Sequence, residues 1–110
     1  MNGKPLRWIH GEVKTPPMSG GARREMGELL RDLQEGLTLA LPHSRPMPDI
    51  GKRCHELRVN DAEHVWRLIY RLDADAIVVL EVFDKKTRKT PQHVLAACQA
   101  RMKAYDRGVT

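Results

Sequence analysis

The sequence predicts a single α+β domain in which a small antiparallel sheet packs against two helices. Apolar residues recur at helical spacing in two segments, one in the first half of the chain and one at its end. Three segments between them have the alternation or the apolar content of strands. Short polar turns join these strands, without the intervening helices that a parallel sheet requires. The length of 110 residues fits one domain, which we assign to residues 1–110.

The first half of the chain predicts one strand and one helix. Residues 6–13 carry apolar side chains between polar ones and predict a short N-terminal strand, and adjacent prolines and glycines predict a loop over 14–21. From Ala22 the apolar spacing is that of a helix, which we expect to end at Gly36 or shortly after it. Its apolar stripe consists of Met26, Leu29, Leu30, Leu33 and Leu37. Three prolines predict a further loop over 41–51.

The second half predicts three consecutive strands, over 54–59, 65–72 and 76–83, with turns at 60–63 and 73–75. The third strand, AIVVLEVF, is almost wholly apolar, as expected of a central strand that is covered on both faces. Because the turns are short, we expect these strands to form an antiparallel meander, which the N-terminal strand joins.

A basic loop and a second helix complete the predicted fold. The loop covers 84–90, and Thr90 is the expected N-cap of a helix over 91–105 that has Pro91 at its first position. The apolar stripe of this helix consists of Val94, Leu95, Cys98, Met102 and Tyr105. Alanines beside the stripe permit a close approach to the sheet.

Composition and charge narrow the class of function. The chain has 19 Lys and Arg against 14 Asp and Glu, a net charge of +5, so we expect it to bind polyanions such as nucleic acid. It has neither an apolar run of the roughly 20 residues that span a membrane nor an apolar N-terminal segment typical of a signal peptide. The two cysteines, Cys54 and Cys98, lack CxxC spacing and are expected to be buried thiols in a reducing compartment. We therefore expect a cytoplasmic protein without a membrane partner.

Common catalytic and cofactor motifs are absent from the sequence. His55 and Glu56 begin a zinc-protease pattern, but Val59 stands where the second histidine ligand would be. The other histidines have no ligand spacing, and the chain has no phosphate-binding glycine loop and no nucleophile elbow. We therefore expect neither a metal site nor a cofactor.

Arginines are the most suggestive residues of the predicted sheet. Alternation places Arg67 and Arg71 on the same face of the second strand, and Arg58 lies near the end of the strand before it. If both helices cover the other face, these arginines form a positive, concave surface. For any single arginine, a solvated side chain paired with a nearby acid remains the alternative.

The basic loop is the second candidate for binding an anion. It carries Lys85, Lys86, Arg88 and Lys89 between a buried strand and the start of a helix, where backbone N–H groups favour phosphate. A turn that only increases solubility is the alternative explanation.

Four strings in the second half resemble a known family. They are ELR (56–58), WRLIYR (66–71), VVLEVF (78–83) and KKTRKTP (85–91). Their order and spacing resemble the phage-derived Gp49-like group of the RelE/ParE/HigB superfamily, the toxins of type II toxin–antitoxin modules. The resemblance extends from about Trp8 to Tyr105 and is specific in the second half. It implies a small antiparallel sheet cradled by helices.

The resemblance also implies a function. A toxin of this kind enters the ribosome and cleaves mRNA without a metal, by attack of a ribose 2′-oxygen on the adjacent phosphate. Matching positions make Arg67 the transition-state stabiliser, Arg58 a supporting phosphate ligand, and Lys85 and Lys86 the other cations. Arg71, Arg88, Lys89 and His93 are the further residues expected to bind nucleic acid. The implied partners are mRNA, the ribosome and a cognate antitoxin of the helix-turn-helix type, which should be negatively charged.

The acid and base of this reaction are less evident, because the chain departs from the family pattern. His55 and Glu56 stand where ribonuclease members carry lysines, and His93 is the only titratable candidate near the start of the last helix. Glu56 is our choice of base because alternation places it on the face of Arg58, whereas His55 shares the face of Leu57.

Two alternatives remain open at the level of sequence. One is a ParE-like toxin that poisons DNA gyrase and has no nuclease activity. The other is a phage-derived module that binds nucleic acid and is not toxic.

Overall fold

A computed structural model describes residues 3–11, 13, 17–84 and 89–108. The described residues form five strands and two helices, which confirms the α+β class. In chain order these are β1 (Leu6–Trp8), α1 (Gly20–Gln34), β2 (Ser44–Pro46), β3 (Cys54–Asp61), β4 (His64–Leu72), β5 (Ile77–Asp84) and α2 (Gln92–Asp106).

The five strands form one mixed sheet in the order β1-β5-β4-β3-β2. The pairs β2–β3, β3–β4 and β4–β5 are antiparallel, but β1 runs parallel to β5, with Leu6 opposite Ile77. The expectation of a purely antiparallel sheet was therefore wrong. β1 is also shorter than the predicted strand over 6–13. Pairing direction depends on where the chain returns to the sheet, which the alternation within one segment does not encode.

The strand β2 lies inside the segment predicted to be a loop. It occupies an edge of the sheet, where Pro46 can pair without an N–H group. The hydroxyl groups of Ser44 and Tyr70 lie 2.7 Å apart in the interior and form a hydrogen bond that links β2 to β4. The prolines concealed this strand because they mark loops more often than edges.

Helix α1 agrees closely with the prediction. The Ser19 side chain accepts a hydrogen bond from the Ala22 N–H and caps the start. After the helix ends, Gly36 has a φ of 89°, the left-handed conformation that terminates many helices. The predicted stripe is buried except for Leu37, which lies beyond the last turn and is 54% exposed.

Each face of the sheet carries its own apolar core. On the α1 side, helix residues pack against Leu57, Leu68 and Tyr70. On the other side, the core contains Cys54, Ile69, Val78, Leu80, Val94 and Cys98. Helix α2 packs mainly against β5 on this second face. The expectation that both helices cover one face and leave the other to the arginines was therefore wrong. The helices pack on opposite faces, and the arginines lie on the face of α2.

Smaller features also position this second face. At the β4–β5 pairing, Ile69 lies opposite Glu81 and Tyr70 opposite Val79, so Leu80 is an extra residue that forms a bulge.

Both cysteines are buried free thiols, as predicted, and burial raises the pKa of Cys98 to about 12. Neither described helix is long and apolar enough to cross a membrane.

Candidate nucleic-acid interface

Glu56 lies at the centre of the candidate interface and is fully buried. It is on β3, opposite Arg45 of β2 and Ile69 of β4. Strand alternation turns Glu56 to the face of α2, while its neighbour Leu57 enters the core under α1. A buried carboxylate is costly unless it is paired, so its partners decide what this position does.

Two arginines pair with the same oxygen of Glu56. Its Oε1 accepts hydrogen bonds from Arg45 Nε at 3.2 Å and from Arg67 Nη1 at 3.1 Å. Within the described part of the chain, Glu56 Oε2 and Arg67 Nε are buried without a hydrogen-bond partner. Burial lowers the pKa of Arg67, opposed by the Glu56 charge and reinforced by the charges of Arg58 and Arg45. Lowering from so high a value leaves the guanidinium charged at neutral pH.

Arg58 adds a third cation. It lies opposite Arg67 in the β3–β4 register and is partly exposed. No ion pair of the Arg58 side chain is found among the described residues. We call Arg45, Arg58 and Arg67 the arginine cluster. Because Glu56 offsets only one of its three charges, the cluster favours an anion such as phosphate.

The geometry around Glu56 favours a different role from the predicted one. Its carboxylate is 0% exposed and already accepts from two arginines. A base must come within hydrogen-bond reach of the substrate proton, which a fully covered oxygen does not do in this arrangement. Its contacts instead favour a role in orienting Arg45 and Arg67, and the role of base stays a prediction.

The two candidate histidines lie apart from Glu56. His55 is on the opposite face of β3, where its ring stacks on Tyr70 at 5.4 Å between centroids and its Nδ1 is 3.1 Å from the Arg53 carbonyl oxygen. His93 is exposed on the first turn of α2. Of the three acid–base candidates, His93 alone is exposed on the element that shares the face of the arginine cluster.

Arg71 differs from the arginine cluster because its charge is already paired with two aspartates. Its guanidinium donates to Asp73, with the shortest contact at 2.8 Å, and to Asp106, with the shortest at 2.7 Å. These hydrogen bonds raise its pKa further and neutralise its charge. Arg71 joins the end of α2 to the β4–β5 turn, and this arrangement favours a structural role over the predicted contact with nucleic acid.

The basic loop falls largely outside the described residues. Lys85, Lys86 and Arg88 lie there, so their predicted roles stay predictions. Lys89 is exposed and, with Arg45, lines a cavity beside the start of α2. The residue that caps α2 is Pro91, and the helix begins at Gln92, so the prediction of Thr90 as N-cap was wrong. The extended φ and ψ of Pro91 place the boundary one residue later.

Sequence reasoning missed Arg45 and the cavity. Arg45 stands between Ser44 and Pro46 in a segment assigned to a loop, although proline is compatible with an edge strand. The cavity forms only when this segment meets α2, about 45 residues later in the chain. Among the described residues, no group of three or more His, Cys, Asp or Glu is arranged to hold a metal ion.

Comparison with known proteins identifies one family. The profile of the family described as phage-derived protein Gp49-like (DUF891) matches residues 17–103, which include α1, most of α2 and the strands β2 to β5. No curated protein shows a significant match. The matched region contains the whole arginine cluster and Glu56.

Proposed function

Because the chain belongs to the Gp49-like family of phage-derived proteins, which is associated with toxin–antitoxin modules, we propose that it is an RNA-cleaving toxin. The observation that carries the proposal is the arginine cluster. One buried carboxylate orients two arginines, and a third arginine lies opposite one of them in the register. Such a fixed concentration of positive charge suits a phosphate that gains negative charge during a reaction.

The reaction is cleavage by the RNA itself. A ribose 2′-oxygen attacks the adjacent phosphorus as its proton leaves to a base, and the 5′-oxygen departs with a proton from an acid. The products are a 2′,3′-cyclic phosphate and a 5′-hydroxyl. In this proposal Arg67 and Arg58 bind the non-bridging oxygens and stabilise the charge of the pentavalent transition state. Because the Arg67 guanidinium is buried, water screens its charge only weakly, which strengthens its electrostatic interaction with the phosphate.

One of the two proton transfers, to the departing 5′-oxygen, is assigned to His93, and water takes the proton of the 2′-hydroxyl group. Glu56 is covered by arginines and His55 lies on the other face, so His93 is the candidate that remains exposed near the start of α2. The ring nitrogens of imidazole can donate or accept a proton, so the group serves as either acid or base. Substitution of His93 should therefore lower the cleavage rate without weakening RNA binding.

The experiment compares induced expression of the wild type, Arg67→Ala, and Arg7→Ala in bacteria. Arg7 is exposed on β1, on the opposite edge of the sheet from β2, and serves as a matched loss of one charge. We expect transcript cleavage by the wild type and by Arg7→Ala, and a loss of about 10²–10³-fold in Arg67→Ala. Arg67→Lys should recover little, because lysine lacks the planar fork that Glu56 and phosphate engage. Circular dichroism checks that each variant folds.

Two other outcomes would contradict the proposal. A DNA-damage response with intact transcripts would identify a ParE-like gyrase poison. The burial of Glu56 favours the gyrase poison, because among the described residues it leaves the arginine cluster without an accessible carboxylate that could act as a base. Normal growth together with intact transcripts would indicate a non-toxic binding module.

A negatively charged antitoxin is the partner that the proposal requires. Besides the arginine cluster, a groove between β1 and α1 offers a surface for it. The groove is lined by Trp8, which is 42% exposed, and by three arginines of α1. These are Arg23, Arg24 and Arg31. An acidic segment with apolar anchors complements this surface. Co-expression of a small neighbouring gene should restore growth in the experiment above.

A further inference from the structure

A cavity adjoins the arginine cluster, and we propose that it binds a guanine base of the RNA whose phosphate the cluster holds. The inference rests on the proposed function. The cavity has a volume of about 400 Å³ and lies between the segment that follows β2 and the first turn of α2. This volume is in the range of small-molecule sites and is large enough for a purine.

Arg45 connects the cavity to the proposed phosphate site. Its Nε donates to Glu56, and the same side chain, which is 38% exposed, lines the cavity. A phosphate bound at Arg67 and a base in the cavity would therefore lie on either side of one residue. Bases of single-stranded RNA are commonly splayed into such pockets while the backbone is held by cations.

The lining of the cavity combines apolar walls and one carboxylate with the cations Arg45 and Lys89, which suits a base that is joined to a phosphate. Pro46, Met47 and Leu95 supply apolar walls for the faces of a ring. Asp49 contributes a carboxylate, which repels phosphate but accepts hydrogen bonds from N–H groups. Guanine presents two adjacent donors, N1–H and the 2-amino group, to a single carboxylate. Adenine presents no such pair.

The position of Asp49 is held from two directions. Gln99 of α2 donates from Nε2 to the Asp49 carbonyl oxygen at 2.9 Å. The next residue, Ile50, is buried, and its N–H donates to the Met47 carbonyl oxygen at 3.0 Å in a turn. These contacts hold the backbone at Asp49, so binding has to order only the rotamers of its exposed side chain, which favours selectivity.

Thr90 provides an independent indication of a ligand. Its Oγ1 is buried and has no hydrogen-bond partner in the described ranges of the chain, although it lines the cavity. It does not cap α2, whose N-cap, Pro91, makes no side-chain hydrogen bond. A buried hydroxyl without a partner is costly, and the O6 or N7 acceptor of guanine would satisfy it.

The test measures binding of fluorescent 2′-O-methyl RNA hexamers, which cannot be cleaved. One is all adenine, and the others carry a single guanine or inosine in that background, placed at each position in turn. For the best position we expect the guanine hexamer to bind the wild type about tenfold more tightly than the adenine hexamer. Inosine lacks the 2-amino donor and should lose most of that preference.

Two variants and a matched control assign the preference to the cavity. Asp49→Asn should bind guanine and adenine hexamers equally while it retains binding of the adenine hexamer. Gln92→Trp, at the exposed start of α2, should give the same result by filling the cavity. Asp75→Asn removes one carboxylate from the exposed β4–β5 turn and should keep the guanine preference.

The results distinguish a failure of the guanine site from a failure of the RNA function. If the wild type binds every hexamer equally and Arg67→Ala abolishes binding, the guanine site is wrong and the RNA function stands. If no hexamer binds the wild type, the guanine site is overturned, and the transcript-cleavage experiment above decides the RNA function separately. A guanine preference that survives in Asp49→Asn and Gln92→Trp contradicts the assignment to this cavity.

Discussion

The two faces of the sheet bury different kinds of side chain. The face under α1 is continuous and apolar, and its deepest residues, such as Leu57 and Leu68, are fully covered. The face that carries α2 buries charged side chains beside its apolar core, including Glu56, Arg67 and Arg71. Burial of a charged side chain destabilises the folded state unless the charge is paired, whereas burial of a leucine stabilises it. The contrast teaches that the α1 face secures the fold, whereas the α2 face retains costly groups that binding can use.

The largest expected effect on stability lies on the α1 face. Leu68→Ala leaves a cavity in a position with no exposure and should lower the free energy of unfolding by about 4 kcal/mol. Urea denaturation followed by circular dichroism measures this change. An effect below about 1 kcal/mol would mean that this face does not dominate the stability.

Glu56→Ala is expected to have the next largest effect. It leaves Arg67 buried without its carboxylate, and we expect a loss of about 3 kcal/mol in the same denaturation experiment. The double variant Glu56→Leu, Arg67→Met should recover most of this loss, because it removes both charges. It should nevertheless fail to cleave RNA. A double variant as unstable as Glu56→Ala would show that the pair stabilises the fold in its own right.

The smallest effect concerns the pH dependence of the Arg71 contact. Hydrogen bonds from Arg71 lower the pKa of Asp106 below its ordinary value of 3.8. Its contribution is therefore complete above that value and is lost as the pH falls through the lower pKa of the folded protein. Because the carboxylate is more than half exposed, the contribution should not exceed about 1 kcal/mol.

Melting temperatures of the wild type and Asp106→Asn between pH 6 and pH 2.5 test this effect. We expect the two proteins to differ above pH 4 and to converge in more acidic solution. A constant difference over the whole range would exclude titration of Asp106 as the cause.

The alternation of β4 shows which structural features the sequence can predict and which it cannot. It correctly placed Trp66, Leu68 and Tyr70 on one side and Ile69 on the other. It could not distinguish Arg67 from Arg71, which share a face in the predicted strand. Arg67 pairs with Glu56 and lies opposite Arg58, which makes no ion pair among the residues that the structure describes, whereas Arg71 is neutralised by two aspartates. That difference depends on residues from other elements.

The sequence by itself determined the α+β class, both helices, the three long strands and the family. Helices and strands follow from the spacing of apolar residues over a few turns, which is local information. Only the tertiary structure decided the parallel position of β1, the strand β2, the side on which each helix packs and the burial of Glu56. These depend on contacts between distant segments. Arg45 reaches Glu56 across 11 residues of chain and Arg71 reaches Asp106 across 35, distances over which no periodicity in the sequence specifies a partner.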